Sequence, residues 1–278
     1  MEFDFEVVYL LEAIGQSLLW VRENRPLIHE MTNYVSMNDC ANATLALGAS
    51  PVMAHDLYEV EDVTSKANAL VLNIGTLSFS QIPAYLKAGQ AAKRRKIPIV
   101  LDPVGVGAIA QRTAVAKQIM QDVQPDIIRC NMSELHVLCD VKTAVKGVDS
   151  VASEAGSLAL ALQLARESKA VIAVTGKVDL IVSESKVVAI ENGDDWLTRV
   201  TGTGCMTSAL VAAYAAAGDA FVGAAAGVLT MGICGEIAKR SLTETEGIGT
   251  FHIRVMDAIF QLNRDIIKKY GKISYPME

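Results

Sequence analysis

Residues 69–103 read ALVLNIGTLSFSQIPAYLKAGQAAKRRKIPIVLDP. The first segment, Ala69-Leu-Val-Leu-Asn-Ile-Gly75, is a short apolar run ending in glycine. Strands covered on both faces look like this, whereas half-exposed strands alternate. Residues 80–95 then carry apolar side chains at helical spacing and close on Lys93, Arg94, Arg95 and Lys96. Cations suit the negative end of a helix dipole, so the cluster reads as a solvated helix terminus. Pro98-Ile-Val-Leu-Asp-Pro103 is a second buried-strand run. Strand, helix and strand in this order make a βαβ unit, which closes right-handed with parallel strands.

The alternation continues outward. Asp126-Ile-Ile-Arg129 and Ala170-Val-Ile-Ala-Val-Thr175 read as strands, with helical patterns near 111–121 and 151–168. Asp179 to Ile190 is too short for a helix between two strands and reads as a hairpin. After Gly204 the pattern is helical to about Lys269. Ala220 to Gly235 is uncharged and rich in Gly and Ala, and is short for a membrane span; it reads as a buried helix. The start, MEFDFEVVYLLEAIGQSLLWVREN, carries acids where a signal peptide needs a basic region and reads as an amphipathic helix. No composition break divides the chain, so residues 1–278 are expected to form a single α/β domain. Its expected architecture is three layers, helix, sheet and helix, around a mostly parallel sheet.

Half the residues (51%) are apolar and only 5% aromatic, as in sheets of Val, Ile and Leu covered by Ala-rich helices. A net charge of -6 and a pI near 5.3 leave no basic surplus to hold a polyanion backbone, which argues against nucleic acid as a partner. Five scattered cysteines with no C-x-x-C pair fit reduced thiols in a cytoplasmic protein that needs no membrane.

In parallel sheets, ligands bind outside the carboxyl ends of the strands. The polar residues that end the strands here are Asn73, Asp102, Asn131 and Thr175, and they are expected to converge on one crevice. Val200-Thr-Gly-Thr-Gly-Cys-Met206 precedes a long helical run. Gly202 and Gly204 let the backbone curl so that several N–H groups and a helix N-terminus face one point, a cup for an anion; a tight strand-to-helix turn without ligand fits equally. Cys205 lies in the first helical turn, where the dipole tends to lower a thiol pKa. It reads as a general base, a nucleophile or a small structural residue. Asn131 and Glu134 can face a hydrated Mg²⁺, cap a helix, or both. Met31-Thr-Asn-Tyr-Val-Ser-Met-Asn38 and Gly48-Ala-Ser-Pro-Val-Met-Ala-His55 flank a helical run and suit a mostly apolar pocket with few polar anchors, or else a helix cap and a core Met.

Taken in order, M-T-N-Y-V at 31–35, L-G-A-S-P-V-M-A-H at 47–55, L-N-I-G-T-L at 72–77, L-D-P-V-G-V-G-A at 101–108, N-M-S-E at 131–134, V-T-G at 174–176 and V-T-G-T-G-C at 200–205 resemble the hydroxyethylthiazole kinases of thiamine salvage, a ribokinase-like family. The likeness runs from about Pro26 to the C-terminal helices. It implies ATP-dependent phosphorylation of the hydroxyl of 5-(2-hydroxyethyl)-4-methylthiazole, with Mg²⁺. By motif, Asn33, Met53 and Gly202 correspond to thiazole contacts, Arg129 and Thr175 to ATP contacts, and Asp102 and Glu134 to the metal-side acids. Cys205 stands where most ribokinase-like enzymes place an aspartate base, with Gly202 and Gly204 holding the transferred phosphoryl group. The resemblance also implies a homotrimer with its pocket at subunit interfaces. One segment departs: the family's R-G-N is Arg129-Cys130-Asn131 here, so Cys130 is strained if that glycine takes φ > 0. Two other readings stay open: a hydroxymethylpyrimidine kinase or nucleotide-dependent dehydratase on the same scaffold, and a non-enzymatic thiazole or nucleotide sensor.

Overall fold

The computed structural model describes residues 2–140 and 154–276. Nine strands form one sheet: β1 Leu27–Met31, β2 Ser50–Val52, β3 Ala69–Asn73, β4 Ile99–Asp102, β5 Ile127–Asn131, β6 Val171–Thr175, β7 Asp179–Val182, β8 Val187–Ile190 and β9 Ile273–Ser274. Their spatial order is β2-β1-β3-β4-β5-β6-β7-β8-β9. The strands from β2 to β6 pair in parallel, and β7, β8 and β9 extend the sheet in antiparallel fashion. The expected hairpin at 179–190 is β7–β8.

Eleven α-helices among the described residues cover both faces: α1 Glu2–Asn24, α2 Met37–Leu47, α3 Val60–Lys66, α4 Ile82–Arg95, α5 Ala110–Asp122, α6 Met132–Leu138, α7 Glu154–Ser168, α8 Thr203–Ala215, α9 Ala220–Arg240, α10 Ile248–Gln261 and α11 Arg264–Tyr270. Of the helical pattern expected at 151–168, residues 151–153 lie outside the described residues. The strands alternate between two apolar layers, as their pleat requires. Val71, Val100 and Ile127 face the layer of α1, α2, α8, α9 and α10. Leu70, Leu72, Leu101 and Ile128 face that of α3 to α7. The stretch from Ala220 is the core helix α9, buried along most of its length.

Strands β1 and β2 escape a reading by apolar runs. Strand β1 holds His29 and Glu30, both fully buried. The His29 ring meets the Thr64 hydroxyl at 2.8 Å and the Ala54 carbonyl at 2.9 Å. Strand β2 contains Pro51, which an edge strand tolerates because no neighbour needs its missing N–H.

Glu30 has one satisfied oxygen, accepting from the Thr44 hydroxyl at 2.6 Å, while its Oε2 is buried without a partner. Burial pushes its carboxyl from 4.5 up to about 7. A raised folded-state value means stability is fully present below 4.5 and is lost as pH rises through about 7, an effect of roughly 3 kcal/mol. Glu30→Gln, which mimics the neutral acid, should therefore match the parent near pH 4.5 and melt several degrees higher at pH 8. Thermal unfolding at the two pH values checks this; equal midpoints at pH 8 would show that burial does not raise the Glu30 carboxyl.

Candidate active site

The strand ends are joined by a chain of hydrogen bonds. Asn33, just past β1, donates through Nδ2 to Asn73 Oδ1 at 3.0 Å. Asn73 donates to Asp102 Oδ2 at 2.8 Å, and the Ser208 hydroxyl of α8 donates to the same oxygen at 2.8 Å. Arg129 Nη1 lies 3.7 Å from Asp102 Oδ1, and its Nη2 donates to Thr175 Oγ1 at 2.8 Å. The crevice expected from the strand-end residues is thus present from β1 to β6. Asn131 turns aside: its side chain accepts the Glu134 N–H at 2.9 Å and caps α6.

The N-terminus of α8 closes the crevice from the other layer. Gly202 is the N-cap at φ +83, and a Cβ there would lie 2.7 Å from Ser36 Cβ. Glycine is needed both for the left-handed backbone and for this approach. It presses the start of α8 onto the Asn33–Ser36 turn, where Asn33 Oδ1 accepts from the Val35 and Ser36 amides and the Ser36 hydroxyl. Cys205 then sits beside Asn33, whose Nδ2 donates to its sulfur at 3.1 Å. At Gly204, a Cβ would come within 2.8 Å of Arg129 Nη1. The guanidinium therefore lies flat on the first turn of α8.

This places a cation on the positive end of a helix, an arrangement that calls for an anion between or beside them. Asp102 offsets part of the charge. Burial pushes its carboxyl up to about 6, against the pull of Arg129, Ser208 and Asn73. The Cys205 thiol behaves opposite to the helix-dipole expectation. Burial and the Asp102 charge raise it above its ordinary value, outweighing its contacts with Ser36, Asn33 and Asn73, so it is a neutral thiol at pH 7.

Beside Arg129 opens a cavity of about 630 Å³. Thr175, Lys177, Asp179, the segment 191–195, Thr203, Gly204 and Thr207 line it. Asn33, Met53 and Cys205 are not on its wall. They lie across the crevice, towards the β2 edge. Met53 follows β2 and packs, half-buried, on the same apolar layer as Cys205. His55 ties that segment to the Thr32 carbonyl at 3.0 Å.

Glu134 forms the capping box with Asn131 and accepts the Gly105 N–H at 3.1 Å. Asp102 Oδ1 is buried with no hydrogen-bond partner. Among the described residues no group of three or more His, Cys, Asp or Glu gathers as a metal cage. Two carboxylates with spare lone pairs fit Mg²⁺, which keeps its waters and takes its remaining oxygens from phosphate.

Cys130 is not strained. It lies in β5 outside the positive-φ set, and its thiol is buried in the α3–α7 layer, on the face opposite to Arg129. Ser36, Ser208 and the 191–195 wall were not expected from the sequence. Ser208 is three residues after Cys205 on α8, the spacing of one helix face, and that was the available signal.

Residues 18–265 match the model of the hydroxyethylthiazole kinase family. The hydroxyethylthiazole kinase of Clostridium beijerinckii is 43% identical over 266 residues, covering 94% of this chain and 96% of its own length. Among solved structures, the hydroxyethylthiazole kinase protein from Pyrococcus horikoshii OT3 superimposes with a TM-score of 0.87 at 38% identity, over 95% of this chain and 99% of that one. Staphylococcus aureus pyridoxal kinase in complex with AMP-PCP and pyridoxal gives a TM-score of 0.56 at 12% identity, over 79% and 90%. At that identity the likeness is one of fold, and the fold is ribokinase-like.

Proposed function

The chain belongs to the hydroxyethylthiazole kinase family, and from that premise we propose how its crevice transfers a phosphoryl group to the hydroxyl of hydroxyethylthiazole. This is the kinase step of thiamine salvage. The observation that carries the reading is Arg129 lying on the first turn of α8, between the cavity and Cys205.

In this reading ATP fills the 630 Å³ cavity and turns its terminal phosphate towards Arg129 and the amides of residues 202–205. The thiazole enters from the opposite side, between Asn33 and Met53, with its hydroxyl near Cys205. Asn33 holds the sulfur, and Ser208 and Asn73 hold Asp102 ionised beneath the guanidinium. Asp102 and Glu134 would hold Mg²⁺, which when bound neutralises charge on the phosphates. Phosphoryl transfer passes through a loose transition state, so positioning and electrostatics supply most of the acceleration and the alcohol proton leaves late. Cys205 receives that proton as its thiolate, the minor form at pH 7, and becomes the neutral thiol.

The trimer implied by the resemblance has support in exposed apolar side chains that follow Asn33 and strand β2. Tyr34 and Val35 are 66% and 64% exposed, and Tyr58 is 88% exposed. Sedimentation at three times 29.7 kDa would agree with it, and a monomer would refute it.

The deciding experiment is a coupled ADP-release assay with MgATP and hydroxyethylthiazole, beside hydroxymethylpyrimidine and a no-alcohol control. Turnover with the thiazole alone is expected. Turnover with the pyrimidine alone would overturn the substrate assignment, and binding of both ligands without turnover would overturn the catalytic one.

A further inference from the structure

One wall of the cavity is neither helix nor strand: Glu191 to Asp194 connect β8 to a short 3₁₀ turn at Asp195–Arg199. Backbone donors outside regular structure need other partners, and here a buried carboxylate accepts from one of them and from two side chains beside it. Glu236 of α9 is 8% exposed. Its Oε1 accepts from the Gly193 N–H at 3.1 Å, from Asn192 Nδ2 at 3.0 Å and from Lys272 Nζ at 3.0 Å. Its Oε2 lies 3.6 Å from Arg240. The wall is also laced to the C-terminal segment. Glu191 N–H donates to the Lys272 carbonyl at 2.9 Å, Asn192 Oδ1 accepts the Lys272 N–H at 2.7 Å, and Asn192 Nδ2 reaches the Tyr270 carbonyl at 2.9 Å. One turn before Glu236, Gly232 leaves room for the wall: a Cβ there would lie 2.7 Å from the Asn192 carbonyl oxygen.

We infer that Glu236 is a positioning residue for the nucleotide: it fixes the Glu191–Asp195 wall against α9, and through Lys272 it makes the C-terminal strand part of the ATP site. Nothing in the brace touches the thiazole side or the Arg129–Asp102 centre. Its loss therefore acts on nucleotide affinity and spares the chemical step. The inference rests on the cavity being the ATP site.

Steady-state kinetics of Glu236→Ala, Glu236→Gln and Lys272→Met, with Arg129→Met as reference, test it. Glu236→Ala should raise KM for MgATP roughly tenfold, the effect of one charge-assisted hydrogen bond network loosened. Its kcat should stay within about twofold and its thiazole KM should not move. Glu236→Gln keeps the accepting oxygen and should recover most of the loss. Lys272 is half-exposed, so Lys272→Met keeps the fold and should give the same signature at about two- to threefold. The inference is overturned if folded Glu236→Ala has an unchanged MgATP KM, or if kcat falls as much as KM rises. If Glu236→Ala does not fold, an unchanged MgATP KM in Lys272→Met overturns it instead. If Arg129→Met too leaves MgATP KM unchanged, it is the placement of ATP in the cavity that has failed.

Discussion

Arg129→Met is expected to cut kcat/KM for MgATP by roughly 10³ and to move the acid limb of the pH–rate profile upward. The first effect follows from geometry. The guanidinium lies on the first turn of α8 and donates to Thr175, so it meets the phosphate with a helix start already behind it. Methionine keeps the bulk of the stem and removes every donor. The second effect follows from Asp102. Burial has already pushed that carboxyl up to about 6, and Arg129 is the largest influence holding it down. If an ionised Asp102 is required, activity falls as pH drops through about 6 in the parent. Without the arginine, desolvation is less opposed, the carboxyl rises further, and the fall begins at a higher pH. Initial rates against MgATP from pH 5.5 to 8.5 separate the two. A loss of less than about fivefold would show that Arg129 serves the fold and not the phosphate, and a loss without a shift would show that Asp102 does not titrate in catalysis.

The parts of the fold that could be read from sequence are those where local pattern and tertiary role coincide. Ala69–Asn73, Ile99–Asp102 and Val171–Thr175 are buried on both faces, so each appears as an apolar run. Strand β1 is equally buried, yet His29 and Glu30 disguise it. Their partners Thr44, Ala54 and Thr64 belong to other elements, and no window of sequence contains them all. The strand β9 is two residues long and exists because Glu191 and Lys272 meet.

The site divides in the same way. Asn73, Asp102 and Thr175 follow from the rule that ligands gather at strand ends. Ser208, Ser36 and Glu236 depend on how α8, α2 and α9 dock, which patterning does not specify. Cys130 shows the reverse error. A glycine-to-cysteine difference beside an ATP contact invites an argument about strain, but the pleat of β5 turns that side chain into the core.

The second large effect concerns Cys205, where the structure sharpens the chemistry. A helix N-terminus alone would favour the thiolate, but burial and the neighbouring Asp102 charge prevail and the thiol is held above its ordinary value. If the sulfur takes the alcohol proton, the parent's kcat should climb with pH above neutrality, because the thiolate fraction is still growing there. Cys205→Ala should lose roughly 10² or more in kcat and lose that climb as well. Cys205→Asp should remain active and reach its plateau at lower pH, since a carboxylate ionises well before a thiol. The plateau should not reach down to the ordinary aspartate range, because Asp102 is close enough to raise a second carboxylate beside it. Profiles of kcat at saturating MgATP and thiazole for the three proteins decide the matter. A parent profile flat above pH 7, with Cys205→Ala near full activity, would remove the sulfur from proton transfer. It would leave Cys205 as the group that fills the space between Asn33 and the first turn of α8, with the alcohol proton passing directly to the phosphate.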